Sequence, residues 1–128
     1  MKELKEGLKV DFQADDLKQL ENAVSLLDEK IKSEKYLITL SELGVYIKNS
    51  DKSHHIAAHL REISDVSGAG DTVISTAALC LALNLPLRFI AELANLSGGL
   101  VCEHVGVVPI NKHDLFEEGK NIALEYNE

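Results

Sequence analysis

The sequence is short of positive charge. Thirteen Lys and Arg residues stand against 21 Asp and Glu, a formal net charge of −8. Only two of the basic residues are arginines, Arg61 and Arg88. That balance argues against charge-driven binding to nucleic acid or to an anionic membrane. A polyanionic ligand would be held by backbone dipoles and a metal, not by a basic patch. Cysteine is scarce as well. Cys80 and Cys102 sit among small apolar residues, so buried free thiols in a reducing cytoplasm are expected, not a disulfide framework. No long apolar run is present either. The longest, from Val73 to Leu87, is interrupted by Ser75, Thr76, Asn84 and Pro86, and no membrane span is expected. The charged opening Met1–Leu4 predicts no secretory leader. There is no internal repeat and no low-complexity linker. The 128 residues, 45% hydrophobic and 27% charged, suit one modest domain with a single core.

What is present is an alternation of helix-period and strand-like segments. Lys2–Lys9 reads as a short, exposed helical turn. Asp15 and Asp16 offer a helix start, followed by Leu17, Leu20, Ala23, Val24, Leu27 and Ile31 at helical spacing. That helix is expected to end near Ser33–Lys35. Tyr36–Leu40 and Gly44–Ile47 read as strands joined by a Ser41–Leu43 turn, and His54–His59 as a third. Helices are expected over Thr72–Leu83 and Leu87–Glu103, with Pro86 between them. A last one starts at Asn111 or His113-Asp114 and carries Leu115, Phe116, Ile122 and Ala123. The class is α/β, with too few strands for a doubly wound sheet covered on both faces.

The segment richest in chemistry is Asp65-Val66-Ser67-Gly68-Ala69-Gly70-Asp71-Thr72. Its glycines permit a sharp turn with exposed N–H groups just before a helix, a place where an anion is favoured. Asp71 would repel that anion, unless it faces a substrate hydroxyl and takes its proton. The same loop also reads as an ordinary helix cap, and the residues alone leave both readings open. It is not a Walker loop, which needs Gly-Lys-Ser/Thr. It is not a dinucleotide fingerprint, because Val73 stands where the third glycine belongs.

The segment resembles the second signature of the ribokinase-like (PfkB) carbohydrate kinases, and Ser75, Ala77 and Ala78 fit the same pattern. Thr76 departs from it, where a smaller residue is usual. Thr39-Leu40-Ser41-Glu42-Leu43-Gly44 is similar to the family's Thr-x-Gly-x-x-Gly nucleotide turn, with Ser41 in place of the first glycine. Ala94-Asn95-Leu96-Ser97-Gly98-Gly99, followed by Gly106, resembles its adenine-pocket helix and loop. Within the family, His59–Ser64, Asp71–Ile74, Gly98–Val101 and Val105–Val107 are most similar to the heptose 7-phosphate kinase domain of ADP-heptose synthases.

The resemblance implies the C-terminal part of a ribokinase-like three-layer α/β/α domain, with residues 1–128 forming one partial domain. It implies phosphoryl transfer from ATP to a sugar or sugar-phosphate hydroxyl. Asp71 would be the base, and the N–H groups of Gly68, Ala69 and Gly70 would stabilise the transferring phosphoryl group. Thr39, Ser41, Gly44, Asn95 and Gly99 would surround the nucleotide. Asp65, with carbonyls near Ser67 and Gly106, resembles a monovalent-cation site, K+ for example. Mg2+ would bridge the phosphates. Glu3 matches the glutamate of the family's Asn-x-x-Glu motif, so the chain would begin inside that motif. The sugar-binding half would then lie upstream, and the isolated chain would be inactive and prone to self-association. The alternative for Glu3 is one more acid on a solvated helix. The alternative function is a non-catalytic nucleotide-binding or assembly module.

Three smaller clusters carry plainer readings. His54, His55 and His59 lack a suitably spaced carboxylate and read as surface histidines. Cys102-Glu103-His104 follows an apolar run and reads as a buried thiol, not a nucleophile. Phe116-Glu117-Glu118 reads as a solvated helix start.

Overall fold

The structure, a computed structural model, describes residues 1–58 and 61–126, with side chains as far as Ile122. Helices α1 (Lys2–Leu8) and α2 (Leu17–Ile31) lead into strands β1 (Tyr36–Thr39), β2 (Val45–Lys48) and β3 (Ser53–Ile56). Helices α3 (Ala69–Ala82), α4 (Leu87–Cys102) and α5 (Lys112–Tyr126) follow. The expected order of elements is therefore present. His59 and Ala123 fall outside the described side chains, and the third strand runs over Ser53–Ile56 where His54–His59 was expected.

Local chemistry sets the boundaries. Asp16 caps α2 by accepting from the Gln19 N–H at 3.2 Å. α2 stops at Ile31, before the expected Ser33–Lys35, because Lys32 turns left-handed (φ 48°) and closes on the Asp28 carbonyl. The Tyr36 hydroxyl then accepts from the Ser33 N–H and donates to Asp28, holding the chain reversal that starts β1. Asn49 makes the β2–β3 turn, its Oδ1 accepting from the N–H groups of Asp51 and Lys52 at 2.9 and 2.7 Å. Asn111 does the same for α5, accepting from His113 and Asp114.

The three strands form an antiparallel sheet in the order β1-β2-β3, with Ile38 opposite Tyr46 and Tyr46 opposite His55. Side chains alternate across it. Tyr36, Ile38 and Tyr46 pack with Leu4, Leu8, Leu20 and Val24 of α1 and α2. Leu37, Val45, Ile47 and Ile56 pack with Val73, Ala77, Ile90 and Ala94 of α3 and α4. The sheet is thus covered on both faces, against the expectation from strand count. One strand buried along most of its length, β2, suffices, since helices from either end of the chain reach it. Each buried aliphatic or aromatic side chain there contributes about 1.5–3 kcal/mol. Nor is α1 simply exposed, because Leu4 and Leu8 are buried in this layer. The result is three layers, helix, sheet and helix, the α/β/α arrangement expected. A smaller core, Leu96, Leu100 and Ile122, joins α5 to α4.

Candidate active site

The signature loop folds differently at one point from its sequence reading. α3 begins at Ala69, three residues before the expected Thr72. Gly68 is the cap, in the left-handed region (φ 77°, ψ −1°), and its carbonyl accepts from the Thr72 N–H at 3.1 Å. Asp71 therefore stands inside the first helical turn, at its third position. A Cβ on Gly68 would lie 3.0 Å from Val107 Cγ1, so the cap needs glycine for its φ and has little room to spare.

The first-turn amides divide. The Ala69 N–H donates to the Val66 carbonyl at 3.3 Å, which gives it an acceptor inside the turn. The N–H groups of Gly68, Gly70 and Asp71 have no acceptor among the described residues. The Asp71 carboxylate is exposed, with no hydrogen-bond or ion-pair partner among the described residues. Its carbonyl accepts from Ser75 Oγ at 2.7 Å. The arrangement is a free carboxylate beside unpaired amides on the positive end of a helix dipole.

Asp65 holds this loop in place. Its Oδ1 accepts from the Ser67 N–H (2.9 Å) and hydroxyl (2.7 Å), and its Oδ2 from the Gly106 N–H at 2.9 Å. The Cys102 carbonyl accepts from the N–H groups of Ser64 and Asp65. Asp65, Ser67 and Gly106 are brought together as the resemblance implies, but both carboxylate oxygens face N–H and O–H donors. In this geometry they clamp the loop before α3 to the loop after α4, and a cation on Asp65 would compete with those donors. The Ser67 hydroxyl and amide, then the Gly106 amide, lower the Asp65 pKa from 3.8 to about 2. A depressed carboxylate stabilises the fold above its ordinary pKa and loses that contribution as pH falls. Asp65→Asn should therefore be less stable than the parent above pH 3.8, with the gap closing as pH falls towards about 2. Urea unfolding across that pH range is the check.

The nucleotide-turn residues gather at the C-terminal end of β1. Thr39 ends the strand, and its carbonyl accepts from the Met1 amino group at 3.2 Å. That amino group also pairs with the exposed Glu3 carboxylate at 3.4 Å. The Ser41–Leu43 turn is a single 3-10 turn. Ser41, at the family's glycine position, adopts φ 54°. A side chain there costs about 1–2 kcal/mol, partly offset by the greater unfolded-state freedom of glycine. Ser41→Gly should raise stability by about 0.5–1 kcal/mol, measurable as a higher denaturation midpoint. Gly44 lies so close to the chain after β3 that a Cβ would stand 1.9 Å from the Ile56 carbonyl oxygen.

α4 links the two groups. Asn95, buried, donates from Nδ2 to the Ala57 carbonyl at 2.9 Å. Gly98 lets α3 approach, its would-be Cβ only 2.6 Å from Val73 Cγ2. A Cβ on Gly99 would meet the Arg61 side chain at 3.1 Å. Arg61 is a site neighbour that periodicity and motif matching did not single out. Its guanidinium pairs with Glu103 (2.8 Å) and with Glu118, 42 and 57 residues away. Such a pairing leaves no local signal in sequence. The Asn95–Gly99 face of α4 is thus covered in part by Ala57 and Arg61.

Burial, followed by the nearby Asp65 charge, pushes the Cys102 thiol up, away from nucleophilic character. Both cysteines are free and buried. Among the described residues no three His, Cys, Asp or Glu side chains gather as a metal cluster. No described helix is long and apolar enough to cross a membrane.

The sequence profile of the pfkB family carbohydrate kinases matches residues 2–113. The chain belongs to this family. Among curated relatives, the bifunctional protein HldE of Methylobacillus flagellatus is 44% identical over 96 residues, which are 75% of this chain and 20% of that protein. HldE of Syntrophotalea carbinolica is 38% identical over 114 residues, 88% of this chain and 23% of that protein. The chain thus spans about a fifth of the length of these relatives. Among solved structures, phosphofructokinase-2 from Escherichia coli in complex with potassium superposes with a TM-score of 0.84 at 18% identity, over 96% of this chain and 39% of that one. Ribokinase from Thermotoga maritima gives 0.68 at 15%, over 91% of this chain and 37% of that one. The fold of this pfkB segment is accordingly that of ribokinase-like sugar kinases.

Proposed function

We propose that this chain carries the catalytic and nucleotide-binding side of an ATP-dependent sugar kinase. The observation that carries the reading is the Asp71 carboxylate, exposed and without a partner among the described residues, in the first turn of α3 beside amides without acceptors, in a pfkB chain. In the proposed reaction Asp71 orients the acceptor hydroxyl and takes its proton. The Gly70 and Asp71 amides and the Gly68 amide face the transferred phosphoryl group and offset its charge. Ala69 contributes its small side chain more than its N–H, which the Val66 carbonyl already occupies. Thr39, Ser41, Gly44, Asn95 and Gly99 border the nucleotide in this reading. Magnesium, when bound, neutralises charge on the phosphates. Such an ion keeps most of its ligands as phosphate and water oxygens, so one exposed carboxylate, Glu3, fits as the protein's share. A monovalent cation such as K+ at Asp65 would share the carboxylate with the Ser67 and Gly106 donors, and no step is assigned to it.

The acceptor we propose is a heptose phosphate, D-glycero-D-manno-heptose 7-phosphate, on the strength of the HldE relatives. We further propose that residues 1–128 form one partial domain, active only together with a sugar-binding part, in the cytoplasm. ADP release measured against a panel of sugars and sugar phosphates tests this. Turnover confined to a heptose phosphate supports the reading, and turnover on another sugar overturns the choice of acceptor. One observation favours the second reading, a non-catalytic nucleotide-binding or assembly module: Arg61 lies over Gly99, on the face where the nucleotide is expected. ATP binding without transfer to any sugar, even with the sugar-binding part supplied, would establish that alternative.

A further inference from the structure

The space above Gly99 is already filled. A Cβ at that position would meet Arg61 Cδ and Nε, each at 3.1 Å, so the room that glycine leaves on this face of α4 is taken by the arginine stem. The Arg61 side chain is only 10% exposed. Its Nε is buried and has no hydrogen-bond partner among the described residues. A buried donor without an acceptor is disfavoured, so nothing polar at this seat holds the stem down. The hold is at the far end. Nη1 donates to Glu103 at 2.8 Å and to Glu118 at 3.4 Å, and Nη2 donates to Glu118. Glu103 follows α4, and Glu118 lies on α5. Their side chains are 38% and 46% exposed, so water screens both carboxylates and the pairs are weak.

We propose that Arg61 is a gate on the nucleotide face, closed over Gly99 in this structure and swung outward when nucleotide binds, with Glu118 as its latch. The inference rests on the reading that places the nucleotide beside Asn95 and Gly99. One volume cannot hold both the Arg61 stem and a nucleotide bordered by Gly99. The stem is the part that can yield, because a long unbranched side chain leaves by rotation about its own bonds. The other cover on this face, the Ala57 carbonyl bonded to Asn95, is backbone and cannot rotate away. Rotation also returns Nε to water, which offsets part of what the broken ion pairs cost. A gate closed about nine-tenths of the time weakens the apparent nucleotide affinity about tenfold. Affinity for nucleotide is then set by α5, through a carboxylate that does not itself touch the ligand.

The test is calorimetric titration of MgATP and of ADP into the 128-residue chain and its variants, each checked for folding by urea unfolding. Arg61→Ala should bind both nucleotides about tenfold more tightly than the parent. Glu118→Gln should tighten binding about two- to fivefold, the range a half-exposed ion pair supports. Glu117→Gln, whose residue pairs with Lys120, should bind like the parent. Unchanged affinity in Arg61→Ala overturns the gate. Weaker binding there also overturns it, since Arg61 would then hold the nucleotide, and the nucleotide reading itself would stand. Should Arg61→Ala fail to fold, Glu118→Gln decides alone, and parent-like affinity in that variant overturns the proposal. If neither the parent nor any folded variant binds either nucleotide, the reading that places a nucleotide on this face is overturned, and the gate with it.

Discussion

Gly44→Ala should cost about 3–4 kcal/mol or prevent folding altogether, the largest effect expected from any single methyl group in this chain. Two physical terms add. The backbone at Gly44 has φ 93° and ψ −133°, a region that residues with a Cβ avoid at a cost of about 1–3 kcal/mol. The added Cβ would also stand 1.9 Å from the Ile56 carbonyl oxygen, 2.7 Å from the Ala58 nitrogen and 2.8 Å from the Ala57 carbon. All three are backbone atoms, so no side-chain rotation relieves the overlap. Relief requires moving the end of β3 away from β2, which breaks the pairing of Val45 with Ile56. It also shifts the Ala57 carbonyl that Asn95 grips. Urea unfolding of the purified variant is the measurement. A stability within 1 kcal/mol of the parent would mean that the chain after β3 does not lie against Gly44.

Asp71→Asn should reduce kcat by about 10²–10⁴-fold, or about 3–5 kcal/mol of barrier, in a kinase that joins this segment to its sugar-binding part. The amide keeps the shape and the exposed position but cannot take the proton from the acceptor hydroxyl. Nucleotide affinity should stay at the parent value, since Asp71 is placed toward the acceptor and the glycine amides toward the phosphates. The split between a large kcat loss and an unchanged KM for ATP is the diagnostic. Near-parent turnover would remove Asp71 from the role of base. A parallel loss of ATP affinity would place the carboxylate on the nucleotide side instead. Stability should change little, because the Asp71 carboxylate has no hydrogen-bond or ion-pair partner among the described residues.

These two substitutions separate what looks uniform in sequence. Gly44 and Gly68–Gly70 all read as places where a backbone approaches phosphate. In the folded chain Gly44 is held first by its own protein, with carbonyl and amide atoms of residues 56–58 filling the space a side chain would need. Gly70 has nothing within 4 Å of its would-be Cβ, so its openness is compatible with a ligand. Gly98 serves the contact between α3 and α4. The same residue type thus does three jobs, and spacing in sequence does not distinguish them.

Much was nonetheless legible from the sequence alone. The short apolar runs Tyr36–Leu40 and Gly44–Ile47, set apart by the Ser41–Leu43 turn, specified two strands. The spacing of Leu20, Ala23, Val24 and Leu27 specified α2. The run from Asp65 to Thr72 was enough to point to the pfkB family, because its glycines and carboxylate stand together within eight residues. Local signals of this kind survive without a fold. Tertiary structure decided the rest, because it depends on groups far apart in the chain. It covered both faces of a three-stranded sheet by bringing α1 and α2 to one side and α3 and α4 to the other. It made Asp65 a clamp between two loops, since the Gly106 amide that completes its bonds lies 41 residues away. It laid Arg61 over Gly99 through carboxylates on α5 and at the end of α4. It also left the outer face of α3 bare, with Asp71 on it, and only packing could show which of two equally apolar helix faces was already in use.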